Sequence, residues 1–118
     1  MVCKILVVED EVLIRLTLVD ALHEAGFDVL DAGSAEHAIE IINEQTIHLL
    51  FTDIQLPGKL TGLDVAYRAA ERFPDAGIIV ASGRIKPAST DLPPGAKFFS
   101  KPFGFDQIIE CFKAMNRA

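Results

Sequence analysis

Cysteine is scarce: Cys3 and Cys111 are the only two in 118 residues, and neither sits in a CxxC pair or near a histidine. A thiolate metal centre is thereby excluded, and both read as small core or near-core thiols. Basic charge is in deficit as well, with 11 Lys and Arg against 17 Asp and Glu and a formal net charge of −6. Gripping nucleic acid through its phosphates needs a basic face, so direct nucleic-acid binding is not expected. No apolar stretch approaches the roughly 20 residues that span a bilayer, and Met1-Val2-Cys3 leads straight into a strand without a charge-flanked apolar leader. A cytoplasmic protein without a membrane partner is expected. His23, His37 and His48 lack a spacing that would set two on one helix face beside a carboxylate, which predicts surface residues and not ligands.

With 50% hydrophobic and 24% charged residues, the chain reads as one globular domain over 1–118, able to bury about two-thirds of its unfolded surface. Apolar runs mark strands at Ile5-Leu6-Val7-Val8, Leu49-Leu50-Phe51-Thr52, Ile78-Ile79-Val80-Ala81 and Lys97-Phe98-Phe99-Ser100. Phe27-Asp28-Val29-Leu30-Asp31 alternates apolar with acidic, which predicts a half-exposed edge strand.

Between the strands lie helical stripes. Ile14, Leu18, Ala21, Leu22 and Ala25 recur at three- and four-residue steps before Gly26 stops the helix. Ser34 is placed as an N-cap for Ala35, Ala38, Ile39 and Ile42. Thr61-Gly62-Leu63-Asp64 reads as a capping box leading Leu63, Ala66, Ala70 and Phe73 as far as Pro74. Phe105, Ile108, Ile109, Phe112 and Met115 form the last stripe, with Lys113 and Arg117 near its carboxyl end. Where a helix should follow the fourth strand, residues 83–95 contain three prolines and predict a loop with little more than one helical turn. This alternation implies an α/β, doubly wound, five-stranded parallel sheet covered on both faces, with ligands bound beyond the carboxyl ends of its strands.

Those ends carry the chemistry. Glu9 and Asp10 close the first strand, Asp53 the third, Ser82 the fourth, and Lys101-Pro102 follows the fifth. Three converging carboxylates repel one another and imply a cation. Oxygen-only ligands favour a hard ion, and Mg²⁺ fits because it keeps several waters and suits a phosphoryl substrate. Asp53 is then the natural nucleophile, forming an acyl phosphate, with Glu9 and Asp10 holding the metal. Lys101 pairs with a phosphoryl oxygen or, before reaction, with a carboxylate, and Ser82 donates a hydrogen bond.

In this arrangement the chain resembles the receiver domain of two-component response regulators, over almost its whole length. The marks are Val7-Val8-Glu9-Asp10-Glu11, Thr52-Asp53-Ile54-Gln55-Leu56-Pro57-Gly58, Gly62-Leu63, Ser82-Gly83 and Phe98-Phe99-Ser100-Lys101-Pro102-Phe103. The resemblance implies a flavodoxin-like strand order 2-1-3-4-5, a cis peptide between Lys101 and Pro102, and the Gln55 backbone carbonyl in the Mg²⁺ set. It implies phosphorylation of Asp53 by a histidine kinase or histidine phosphotransfer protein. It further implies a switch in which Ser82 moves toward the phosphoryl group and Phe99 follows, signalling to a downstream protein target. The only catalysis implied is the chain's own phosphorylation and dephosphorylation, with Gln55 and Arg84 placed to influence how fast water removes the phosphoryl group. Two departures from the family pattern stand out: the proline-rich loop replaces most of the fourth helix, and the Asp53 to Gly62 segment is one residue longer than usual.

Alternatives are a receiver excised from a hybrid histidine kinase or longer regulator, and an aspartyl-phosphate-forming phosphatase. Haloacid-dehalogenase-like phosphatases carry a second acid two residues after the nucleophile, where this chain has Gln55. A flavin- or nucleotide-binding protein would need a glycine- or hydroxyl-rich loop after the first strand, and Glu9-Asp10-Glu11 would repel phosphate there. Phe103-Gly104-Phe105 is expected to pack in the core, since Phe105 lies on the helix stripe.

Overall fold

A computed structural model describes residues 3–84 and 86–117. Its elements run β1 (Lys4–Val8), α1 (Val12–Glu24), β2 (Asp28–Ala32), α2 (Ala35–Glu44), β3 (Leu49–Asp53), α3 (Gly62–Arg72), β4 (Gly77–Ser82), β5 (Lys97–Ser100) and α4 (Phe105–Arg117). The five strands form one sheet in the order β2-β1-β3-β4-β5, and every pairing is parallel. The three central strands β1, β3 and β4 are buried almost throughout, which is why they read as unbroken apolar runs. β2 and β5 lie at the edges and are only half-buried.

Strand side chains alternate between two cores. Leu6, Val8, Leu50, Ile78 and Val80 face α2 and α3, meeting Ala38, Ile42, Val65, Ala66 and Ala69. Ile5, Val7, Leu49, Phe51, Ile79 and Ala81 face α1 and α4, meeting Leu18, Leu22, Ile108 and Phe112. Two helices per face, around a sheet whose order reverses beside β1, leave the carboxyl ends of β1 and β3 side by side.

Local signals fix the helix ends. At the end of α1 the Gly26 amide bonds to His23 O and the Phe27 amide to Leu22 O, a Schellman turn that Gly26 accepts at φ +99°. Ser34 Oγ accepts from the His37 amide and starts α2. On α3, Thr61 Oγ1 accepts from the Leu63 amide and Asp64 Oδ2 from the Thr61 amide, closing the expected capping box. The most deeply buried side chains of that helix are Val65, Ala66 and Ala69, with Leu63, Ala70 and Phe73 packed at their margin. Its buried stripe is thus rotated from the one expected.

His48 corrects an expectation: it is half-buried, and its Nδ1 accepts a hydrogen bond from the Lys4 amide at 3.0 Å. The ring thereby ties the loop before β3 to the start of β1. Between β4 and β5 the described residues contain only a single 3₁₀ turn, Ser89–Asp91, anchored where the Tyr67 hydroxyl donates to Asp91 O at 3.0 Å. Prolines at 87, 93 and 94 leave only residues 88–92 between helix breakers, room for little more than one turn. Among the described residues, no helix is long and apolar enough to cross a membrane.

Candidate functional site

β1 ends one residue before Glu9, whose amide still reaches Ala32 O at 3.1 Å and so extends the pairing with β2. In the parallel register Val8 lies beside Thr52, and Asp53 beside Ala81. Adjacent strands of equal reach therefore bring the first acidic pair and the third-strand aspartate together. One carboxylate oxygen from each of Glu9, Asp10 and Asp53 lies within 4.8 Å of the others. Glu9 is wholly buried and Asp53 is 5% exposed, while Asp10 opens to solvent.

Lys101, directly after β5, supplies the counter-charge. Its Nζ lies 2.6 Å from Glu9 Oε1 and 2.9 Å from Asp53 Oδ2, so one ammonium bridges two carboxylates. The remaining oxygens take main-chain donors: the Glu11 amide on Glu9 Oε2 and the Gln55 amide on Asp53 Oδ1, each at 3.3 Å. Burial pushes the Glu9 carboxyl up to about 7, the Asp53 charge adds to the rise, and Lys101 opposes it. Burial also works to lower Lys101, but its bonds to Glu9 and Asp53 and their charges prevail and hold it above its ordinary value. One ammonium among three acids leaves an excess of negative oxygen, and this donor set fits a hard divalent cation.

Ser82 closes β4 at the rim of the same site. Its hydroxyl donates to Gln55 Oε1 at 3.4 Å and accepts from the Arg84 amide at 3.3 Å. The peptide between Lys101 and Pro102 is cis, as expected. Phe99 is half-buried on β5 beside Ala81, on the α1/α4 face. Phe103 packs edge-on against Phe51 at 5.5 Å and against Phe105 at 5.9 Å, so this aromatic pair does serve the core.

Gly62 supports Asp53 from behind. A Cβ at position 62 would stand 1.7 Å from the Asp53 carbonyl oxygen and 2.8 Å from Ile54 Cα. Only glycine lets α3 begin against the Asp53-Ile54 segment, and its amide donates to Ile54 O at 2.8 Å. A cleft of about 390 Å³ borders Lys101, lined by Ile14, Pro102, Phe103 and Phe105. Another, about 420 Å³, opens at the amino ends of the strands between His48, Arg72, Asp75 and Asn116 and includes none of Glu9, Asp10, Asp53, Ser82 and Lys101.

The structure thus brings Glu9, Asp10, Asp53 and Lys101 together, with Ser82 and Gln55 at the rim and Phe99 on the neighbouring edge strand. Sequence reasoning missed two contacts. The Gln55 side chain engages Ser82, and Arg15 donates Nη1 to Glu9 O at 2.9 Å. The second had a signal: Arg15 lies one helical turn beyond Glu11 and so can reach back over the acidic loop.

The model of the response regulator receiver domain family matches residues 5–113. The chain is 35% identical over 115 residues to the response regulator receiver protein CpdR of Brucella abortus (strain 2308), covering 95% of each. A solved response regulator receiver protein from Sinorhizobium medicae WSM419 matches with a TM-score of 0.90 at 29% identity, covering 99% of this chain and 96% of that one. TrrA from Thermotoga maritima, solved in complex with Mg²⁺-BeF, matches with a TM-score of 0.80 at 31% identity, covering 96% and 98%. In strand order, site composition and sequence alike, this chain belongs to the response regulator receiver family.

Proposed function

We propose that the chain is the phosphoryl-accepting component of a cytoplasmic two-component phosphorelay, with Asp53 as acceptor and a phosphohistidine on a histidine kinase or phosphotransfer protein as donor. The observation that carries this reading is the placement of a nearly buried Asp53 carboxylate against Glu9, Asp10 and the Lys101 ammonium. An Asp53 oxygen attacks phosphorus in line, the P–N bond to the donor imidazole breaks, and an acyl phosphate forms. The imidazole leaves with the bonding pair and takes up a proton.

Glu9, Asp10, Asp53 and the Gln55 main-chain carbonyl would hold Mg²⁺, which supplies positive charge to the phosphoryl oxygens. Lys101 exchanges its bond to Asp53 Oδ2 for one to a phosphoryl oxygen. Ser82 exchanges Gln55 Oε1 for the phosphoryl group, and Phe99, next to Ala81 on the edge strand, turns into the space released. With one 3₁₀ turn between β4 and β5, the surface that changes is built from this short connection, β5 and α4. Its readout is a downstream protein target, and the chain acts on no substrate beyond its own phosphorylation and dephosphorylation.

The test is incubation with Mg²⁺ and acetyl phosphate, followed by intact mass. A phosphoryl adduct that requires Mg²⁺ and is absent from Asp53→Asn is expected. No adduct, together with no beryllium fluoride-induced shift of amide signals around Asp53, refutes the proposal.

A further inference from the structure

Arg15 stands one helical turn beyond the acidic loop, yet its side-chain hydrogen bond is to the main chain. Its Nη1 donates to Glu9 O at 2.9 Å, while its own amide donates to Glu11 O at 3.0 Å. Both ends of the short turn from β1 into α1 are therefore held by one residue. Its Nε lies 3.0 Å from Asp31 Oδ2 at the end of β2. That Nε is buried without a directed hydrogen bond, so the contact with Asp31 is ionic. Gly33 makes the room: a Cβ there would stand 2.6 Å from Nη1.

We propose that Arg15 is a positioning residue for Mg²⁺ binding, fixing the Glu9-Asp10 peptide while Asp31 keeps its guanidinium away from the carboxylates; this rests on the Mg²⁺ site in the function proposed above. The peptide unit is planar, so pinning the Glu9 carbonyl sets the direction in which the chain enters Asp10. Asp10 is the exposed member of the acidic trio, and the described hydrogen bonds give its side chain no partner that would set its position from the other end. A guanidinium turned onto the acids would compete with a cation for the same oxygens. Asp31 outside the cluster and close packing over Gly33 select the rotamer that serves the main chain. Arg15 is only 19% exposed in its side chain against 40% for Asp31, so the guanidinium is the confined partner.

The experiment is Mg²⁺ titration of the full chain, followed by backbone amide shifts, for the parent, Arg15→Met, Asp31→Asn and the double variant, with unfolding midpoints in EDTA measured alongside. Arg15→Met is expected to weaken Mg²⁺ binding about 10- to 100-fold, as loss of a residue supporting metal ligands does. Asp31→Asn is expected to weaken it by about fivefold or less, and to have no further effect once Arg15 is Met. Should Arg15→Met not fold, Arg15→Lys, which keeps the charge but lacks the guanidinium whose Nη1 meets Glu9 O while Nε stays beside Asp31, is expected to show about a tenfold loss. Affinity within twofold of the parent in the folded Arg15 variant overturns the inference, whatever happens to the EDTA midpoint. A parent that binds Mg²⁺ but takes no phosphoryl group sinks the proposed function and leaves this inference standing; a parent that binds no Mg²⁺ overturns both.

Discussion

Replacing Gly62 by alanine places one methyl group where the Asp53 carbonyl oxygen already lies, 1.7 Å away, with Asp53 C at 2.6 Å and Ile54 Cα at 2.8 Å. All three obstacles are backbone, so no side-chain rotation relieves the contact. Either α3 retreats or the acceptor segment does, and in both cases the 2.8 Å bond from the Gly62 amide to Ile54 O is stretched or lost. Overpacking of this kind costs about 1–3 kcal/mol, and the hydrogen bond adds about 1 kcal/mol. The expected loss is about 2–4 kcal/mol, which at about 4 °C per kcal/mol for a domain of this size lowers the melting midpoint by about 8–16 °C. Circular dichroism melts report that shift. The same displacement moves Asp53 relative to Lys101, so phosphorylation by acetyl phosphate should slow even well below the melting range. A midpoint within about 1 °C of the parent, with an unchanged rate, would mean that α3 does not press on the acceptor segment, and the role given to Gly62 would be wrong.

Lys101→Met removes the cation between Glu9 and Asp53; breaking such a pair costs about 3–5 kcal/mol once the pH is well above the Glu9 value of about 7, where the parent holds both acids ionised beside the ammonium. Denaturant unfolding should recover much of that loss well below that value, where Glu9 carries a proton with or without the ammonium, and equal losses on both sides of it would contradict the bridging role. Glu9 itself makes the metal-free protein pH-dependent, because its folded pKa is raised from 4.5 to about 7. Below about 4.5 the group is protonated in both states; between there and about 7 the unfolded chain releases its proton first, so stability falls as pH rises and then levels. Melts in EDTA across that window check the slope, and Glu9→Gln should flatten it. Lys101 has the same sign at the alkaline end: its stabilisation persists below its ordinary value of 10.5 and is lost as pH climbs through its raised folded value.

Strands and helices were legible because their burial is periodic. Leu49-Leu50-Phe51 is apolar at every position because β3 lies in the middle of a sheet covered on both faces. The alternation at Asp28–Asp31 disclosed an edge. The α3 stripe was harder to read: alanines at 66, 69 and 70 contribute little contrast, and the decisive Val65 lies beside them. His48 was misread because nothing local marks a ring whose partner is the Lys4 amide, 44 residues earlier. The site residues could be identified because strand ends are where such sheets place ligands. What each residue touches was not legible. Arg15 reaching back to Glu9 O and Gln55 holding Ser82 are rotamer choices imposed by neighbours such as Gly33, and pattern alone does not specify a rotamer.

The ammonium of Lys101 is separated from Glu9 by 92 residues and from Asp53 by 48. A ribosome therefore delivers every acid of the site long before the base that reconciles them. Until β5 docks on β4, the carboxyl ends of β1 and β3 hold converging charges whose nearest remedy is a proton or a borrowed cation. Docking of the last strand and arrival of the bridging ammonium are thus one event. On the proposed function, the contact between Asp53 and the Lys101 ammonium is in place for a donor only when the sheet is finished.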